Sequence, residues 1–215
     1  IPYTWGSLIL ILVAMLYLVL GGLRAAYWTD VLQGVWMYIG VVVAGLLIVN
    51  RLVPGGVPAL MDSVRRVNPG LLIMKWDPAL MLGAILIYGP GLMVLPHLWM
   101  KYYIAADESR IKVSAVGTAI YLSSYYIPTA IIGLAAAVAN VTGVPGVLEK
   151  GFIAALKAQY GSADAVMAVM IYRLLHPVVA GFLLAGAAAA AMSTLDSFLG
   201  ATSMVLVRDI YQRFI

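Results

Sequence analysis

Cysteine is absent from this 215-residue chain and histidine occurs only twice. That excludes disulfides and thiolate metal sites, and leaves the redox compartment unmarked. Charge is scarce as well. Only 10% of the residues are charged against 64% hydrophobic, and the mean hydropathy of +1.01 is far above what a water-exposed surface sustains. The net charge of +4 is spread over intervals between apolar runs, which suits membrane flanks and gives no nucleic-acid footprint. No nucleophile or second base accompanies His97, so nothing around it points to an enzyme.

What is present is hydrocarbon in long pieces. Residues 1–23, 31–50, 78–100, 113–148 and 174–195 carry no charge, and each is close to or above the roughly 20 residues that cross a bilayer as a helix. They are too continuous for the alternating strands of a membrane barrel. The fold class expected is therefore all-α, a polytopic helical membrane protein lying in the lipid bilayer. The predicted spans cover about 3–21, 26–50, 78–101, 112–139 and 174–207, in one transmembrane domain over 1–215.

Punctuation along the chain organises these spans. Gly21 and Gly22 permit a tight turn, so the first two spans are expected to be antiparallel neighbours. The interval 51–77 is rich in Pro, Gly and charge and reads as a surface loop with a short amphipathic helix around 59–67. "YGPGLMVLPH" (88–97) carries Pro90 and Pro96, each lacking a backbone donor, and predicts a kinked or interrupted third span. A second loop, 140–172, is expected to hold one or two short helices outside the bilayer, and the last span is long enough to tilt strongly or project past the membrane. With alternating spans, Arg24, Lys101, Arg110, Lys112, Arg208 and Arg213 share one side. Arg51, Arg65, Arg66, Lys75, Lys150, Lys157 and Arg173 share the other, and six against seven gives no orientation by positive charge. A start at Ile1 without Met, and an end at Ile215 directly after a span, suggest the middle of a longer protein.

Two acids stand inside the apolar runs. Asp30 follows Arg24 by six residues, about 9 Å along a helix. Asp196 lies in "AAAAAMSTLDSFLGATS" (187–203), twelve residues before Arg208, about 18 Å by the same rise. A carboxylate in hydrocarbon costs about 2.5–3.5 kcal/mol even on the lenient insertion scale, so each should face a partner, a cavity or a cation. Ser193, Asp196 and Ser197 stand at i, i+3 and i+4 on one helix face, and Thr194 lies on the adjoining strip. A carboxylate and three hydroxyls within about one and a half turns are hard oxygen ligands for a small cation. The alanine run 187–191 beside them lets another helix approach closely. The plainer alternative stays open: Ser and Thr in membrane helices also bond their own i−4 carbonyl or a neighbouring helix and serve packing alone. For Asp30 the corresponding alternative is an interfacial acid paired with Arg24 or capping near Thr29. His97 and its flanking prolines read as kink and helix-end chemistry.

"LYLVLGGLRAAYWTDVLQG" (16–34) resembles the Gly-Gly-Leu-x-Ala and Thr-Asp-x-x-Gln region of the sodium/solute symporter family. "GPGLMVLPHLWMKYYIAADES" (89–109) is similar to its Pro-His-x-x-x-basic segment, with Lys101 where Arg is frequent. "AAAMSTLDSFLGATSMVLVRDIYQ" (189–212) resembles its sodium-site helix ending in Asp-Ile-Tyr. The three matches occur in family order across nearly the whole chain.

The resemblance implies a leucine-transporter-like inverted-repeat fold, of which this chain holds core helices four to eight. It also implies cytoplasmic placement of the Gly21–Gly22 turn, the 101–112 loop and Arg208. Half of a principal sodium site would come from Ala190 through its carbonyl and from Ser193 and Thr194 through their hydroxyls, the other half from the first core helix. An additional sodium or proton site would use Asp30, Ser193, Asp196 and Ser197. The interrupted Tyr88, Gly89, Pro90 and Gly91 would be a substrate-side element. The function implied is sodium-coupled symport of a small organic solute, an amino acid or small carboxylate, by alternating access in the cell membrane. Sodium is the coupling ion, no nucleic acid is involved, and oligomeric state is not specified. A transporter-like sensor domain of a signalling protein and a proton-coupled symporter are the competing readings.

Overall fold

The structure, a computed structural model, describes residues 3–73, 77–103 and 105–215. Lys75, counted above among the flanking charges, lies outside the described residues. The described residues are helical throughout apart from turns and an isolated bridge between Val144 and Leu148. Helices α1 (Tyr3–Leu52), α5 (Glu108–Thr142) and α8 (Pro177–Met204, continuing through a π-helical turn at Val205–Tyr211 into α9, Gln212–Phe214) are each long and apolar enough to cross a bilayer. A bent pair, α3 (Pro78–Leu86) with a π-helical turn at Ile87–Gly91, then α4 (Pro96–Tyr103), makes a fourth candidate span. The chain is an integral membrane protein of the all-α class.

Helix α1 contains both of the first two predicted spans. Its 50 residues would extend about 75 Å if straight, but Gly22 takes φ 61 and ψ −161, a conformation open only to glycine. The bend there is large. Tyr17 reaches the side chain of Thr29, although twelve residues of unbroken helix span about 18 Å. At Gly21 an added Cβ would overlap the Ala25 methyl group.

The last span begins later than expected. Leu174 is the buried end of α7 (Ala165–Leu174), and α8 starts at Pro177, whose ring suits a first helical turn because no donor is needed there. The interrupted third span is seen at Pro90, inside the π-helical turn, and between Gly91 and Pro96, where the axis bends by 52°. Missing donors at the prolines and the permissive glycines account for it.

The chain divides into two compact units. One comprises residues 36–74 and 119–187. It holds a continuous apolar core in which Ile48, Leu60, Val64, Ala135 and Met170 are fully buried. Helix α2 (Gly56–Val67) presents Leu60 and Val64, four apart, to that core and turns Asp62, Arg65 and Arg66 outward. The loop after α5 is closed by Asn140, whose carbonyl accepts from Gly151 N–H and whose side chain accepts from Ile153 N–H at the start of α6 (Phe152–Tyr160). The close approach expected of the alanine run occurs one residue earlier. Gly186 packs against the Trp36 indole, which stacks on Phe182 at 4.1 Å and donates to the Phe182 carbonyl. Ala187 and Ala191 themselves are exposed.

The other unit comprises residues 1–35, 75–118 and 188–215. Its buried positions are small or polar: Ala14, Ala26, Gly200, Ala201 and Asp196. Large apolar side chains on its outer faces, such as Leu16, Leu20, Leu32 and Val94, are exposed, as lipid-facing surfaces are. This is the unit that holds the polar groups.

Candidate functional site

Asp196 is 1% exposed, the deepest polar residue in the described chain. Its Oδ2 accepts a hydrogen bond of 2.7 Å from the Tyr17 hydroxyl, and its Oδ1 is buried without a partner. Asp30 and Lys101 lie within electrostatic range of it. The Gly22 bend is what carries Tyr17 to this position, since it folds the first arm of α1 beside the Thr29–Asp30 segment of the second.

Asp30 has one occupied oxygen and one free one. Its Oδ2 pairs with Lys101 Nζ at 3.0 Å, with side-chain exposures of 17% and 39%, while its Oδ1 is buried and unpartnered. The expected alternative partner, Arg24, is not the one found. Arg24 lies at the bend end of the arm, and the 52° break before α4 instead directs Lys101, four residues after His97, onto Asp30. From the first turns of α4, Trp99 Nε1 donates back to the Met93 carbonyl in the break, and His97 packs on Phe198 of α8 at 4.2 Å.

The unpartnered atoms form a pattern. Tyr27 Oη, Asp30 Oδ1, Gln33 Oε1, His97 Nδ1 and Asp196 Oδ1 are the buried side-chain polar atoms without hydrogen bonds among the described residues. All five belong to this unit. Tyr27, Asp30 and Gln33 follow at i, i+3 and i+6, on one side of the second arm. Buried polar atoms are nearly always paired with protein, water or ions, so this concentration marks a polar interior with hydrogen-bonding capacity to spare.

The hydroxyls of the α8 segment make local bonds. Thr194 Oγ1 donates to the Ala190 carbonyl at 3.2 Å, and Ser197 Oγ donates to the Ser193 carbonyl at 3.1 Å. This is the packing pattern held open above, and it is compatible with ion ligation. A hydroxyl has one hydrogen and two acceptor lone pairs, so donation to the i−4 carbonyl leaves both lone pairs free. Thr194 is exposed, and Ala190, Ser193 and Ser197 are half-buried. Tyr88, Gly89, Pro90 and Gly91 form the π-helical turn, with Tyr88 72% exposed. Among the described residues no group of three or more His, Cys, Asp or Glu gathers as a metal cluster.

Sequence reasoning brought Asp30, Asp196 and the hydroxyls forward and missed their partners. The signal for Tyr17 was its place in a Gly-Gly hairpin, because residues at similar distances from the bend come side by side. That for Lys101 was the broken span, which returns a residue counted as loop to a helix. The Tyr17–Asp196 bond yields a testable energy. Tyr17→Phe leaves a buried carboxylate oxygen without its donor, a cost of about 1–3 kcal/mol. In thermal unfolding of the purified full-length protein, Tyr17→Phe and Asp196→Asn are expected to be coupled by about 1 kcal/mol or more. Additive effects would show that the bond carries no stability.

A model of the "Sodium:solute symporter family" matches residues 1–215. Sodium/proline symporter 2 of Staphylococcus saprophyticus is 29% identical over 98% of this chain and 38% of its own length. The osmoregulated proline transporter OpuE of Bacillus subtilis is 28% identical over 99% of the chain and 40% of its own. The sodium/pantothenate symporter of Haemophilus influenzae is 26% identical over 98% and 41%. The chain thus spans about two-fifths of the length of these curated relatives. No solved structure matches it. The family model extends over the whole chain: the chain belongs to the sodium:solute symporter family.

Proposed function

We propose that this chain is the ion-binding middle of a sodium-coupled symporter for a small organic solute. The observation that carries the reading is the polar segment of α8, where a fully buried carboxylate with a free oxygen and hydroxyls with free lone pairs interrupt an otherwise apolar membrane helix. Ala190, Ser193 and Thr194 supply carbonyl and hydroxyl oxygens to the principal sodium ion. The remaining ligands come from the family's first core helix, outside this chain. Asp30, Ser193, Asp196 and Ser197 make a second cation-binding cluster. Tyr88 to Gly91, where the helix breaks, faces the solute path.

The mechanism is alternating access in a leucine-transporter-like fold in the cell membrane. Sodium stabilises one conformation, and solute binds that conformation better, so each raises the other's affinity through the shared state. Transport rather than catalysis is the activity. The solute class is amino acids or small carboxylates, in keeping with the proline and pantothenate named for the relatives.

Reconstitution of the full-length protein into liposomes tests this. Uptake of proline or pantothenate is expected to follow an inward sodium gradient and to vanish when choline replaces sodium. Uptake indifferent to sodium but driven by an inward proton gradient overturns sodium coupling in favour of the proton-coupled reading.

A further inference from the structure

The second cation-binding cluster already holds a positive charge. Lys101 Nζ lies 3.0 Å from Asp30 Oδ2, and that Asp30 side chain is mostly buried. On the other side of the cluster Asp196 Oδ2 is taken by the Tyr17 hydroxyl. The atoms left over are Asp30 Oδ1 and Asp196 Oδ1, both buried and unpartnered, with the Tyr27 hydroxyl on the same face as Asp30. The fully buried Asp196 oxygen points to a ligand-accepting interior rather than to a surface group of acids.

We propose that the Lys101 ammonium is a tethered cation that occupies Asp30 in place of a second sodium ion, and so fixes the transporter at a single sodium per cycle. An ammonium within hydrogen-bond distance supplies the charge that a carboxylate needs in a membrane interior. A sodium ion on the same carboxylate would stand within a few ångströms of Nζ and be repelled by it. The Lys101 side chain is 39% exposed, so its flexible stem lets the head leave Asp30 for water. The ammonium is thus a removable occupant that cannot be transported. Asp30 then orders α4 against the second arm of α1 whether or not an ion from solution is bound.

The proposal rests on the reading of Ala190, Ser193 and Thr194 as the principal sodium site, and the test keeps the two apart. Sodium-22 bound at saturation is counted on the purified full-length protein, with Lys101→Met, Lys101→Arg and the double variant Lys101→Met/Asp30→Asn. The wild type and Lys101→Arg are expected to bind a single sodium. Lys101→Met is expected to gain a second, and the double variant to lose it again. A second sodium on the wild type overturns the proposal without any variant. So does a Lys101→Met protein that retains the first sodium and gains none. No sodium on the wild type overturns the principal site, and the proposal falls with it.

Discussion

Replacing Thr194 by alanine in the full-length protein is expected to raise the sodium concentration for half-maximal uptake at least about tenfold, the equivalent of about 1.4 kcal/mol of ion binding. The hydroxyl donates its hydrogen to the Ala190 carbonyl at 3.2 Å, which leaves its two lone pairs unused. Alanine removes this oxygen and also frees the carbonyl from its bond, so both proposed sodium ligands change. Thr194→Ser keeps the hydroxyl and should restore most of the affinity. A packing role predicts another pattern. Thermal stability without sodium would then fall in Thr194→Ala while the sodium dependence stayed where it was, because an exposed methyl and hydroxyl would serve only the contact with a neighbouring helix.

The second large effect is expected at the bend. Gly22→Val forces a branched side chain into φ 61 and ψ −161, at a cost of about 1–3 kcal/mol or more for a residue of that shape. Gly21→Val adds a collision with the Ala25 methyl group. Strain at either position straightens the arm and withdraws Tyr17 from Asp196 and Thr29, so local strain becomes loss of the buried hydrogen bond as well. Both variants are expected to lower the yield of monodisperse protein in size-exclusion chromatography and to depress its melting temperature. Gly6→Ala, where an added Cβ meets nothing, is the matched control and should leave both unchanged. Equal behaviour of all three variants would contradict a bend that depends on glycine.

Much of this was legible in the sequence because membrane helices satisfy their backbone locally, so continuous apolar runs and their breakers define the elements. Pro90 with the glycines around it announced the broken span, and Gly21–Gly22 the bend. The boundary at 174 was not legible. Leu174 is as apolar as the residues after Pro177, and only its burial against the core of its own unit shows that it closes α7. In the site, Asp30 and Asp196 stood out since charge in hydrocarbon requires a reason. Their partners did not, because pairing of Tyr17 with Asp196 and of Lys101 with Asp30 is set by bends that bring distant segments together. Spacing along one helix, which suggested Arg24 for Asp30, says nothing of a residue seventy-one positions away.

The α8 oxygens are proposed to bind a sodium ion whose occupancy is linked to that of the solute. Equilibrium sodium-22 binding to the purified full-length protein, with and without saturating solute, measures that linkage directly. Solute is expected to raise sodium affinity by the same factor by which sodium raises solute affinity, as reciprocal coupling requires. Thr194→Ala is expected to weaken the sodium side of the cycle. Sodium binding that is absent, or that is the same with and without a solute the protein binds, would overturn the proposed linkage.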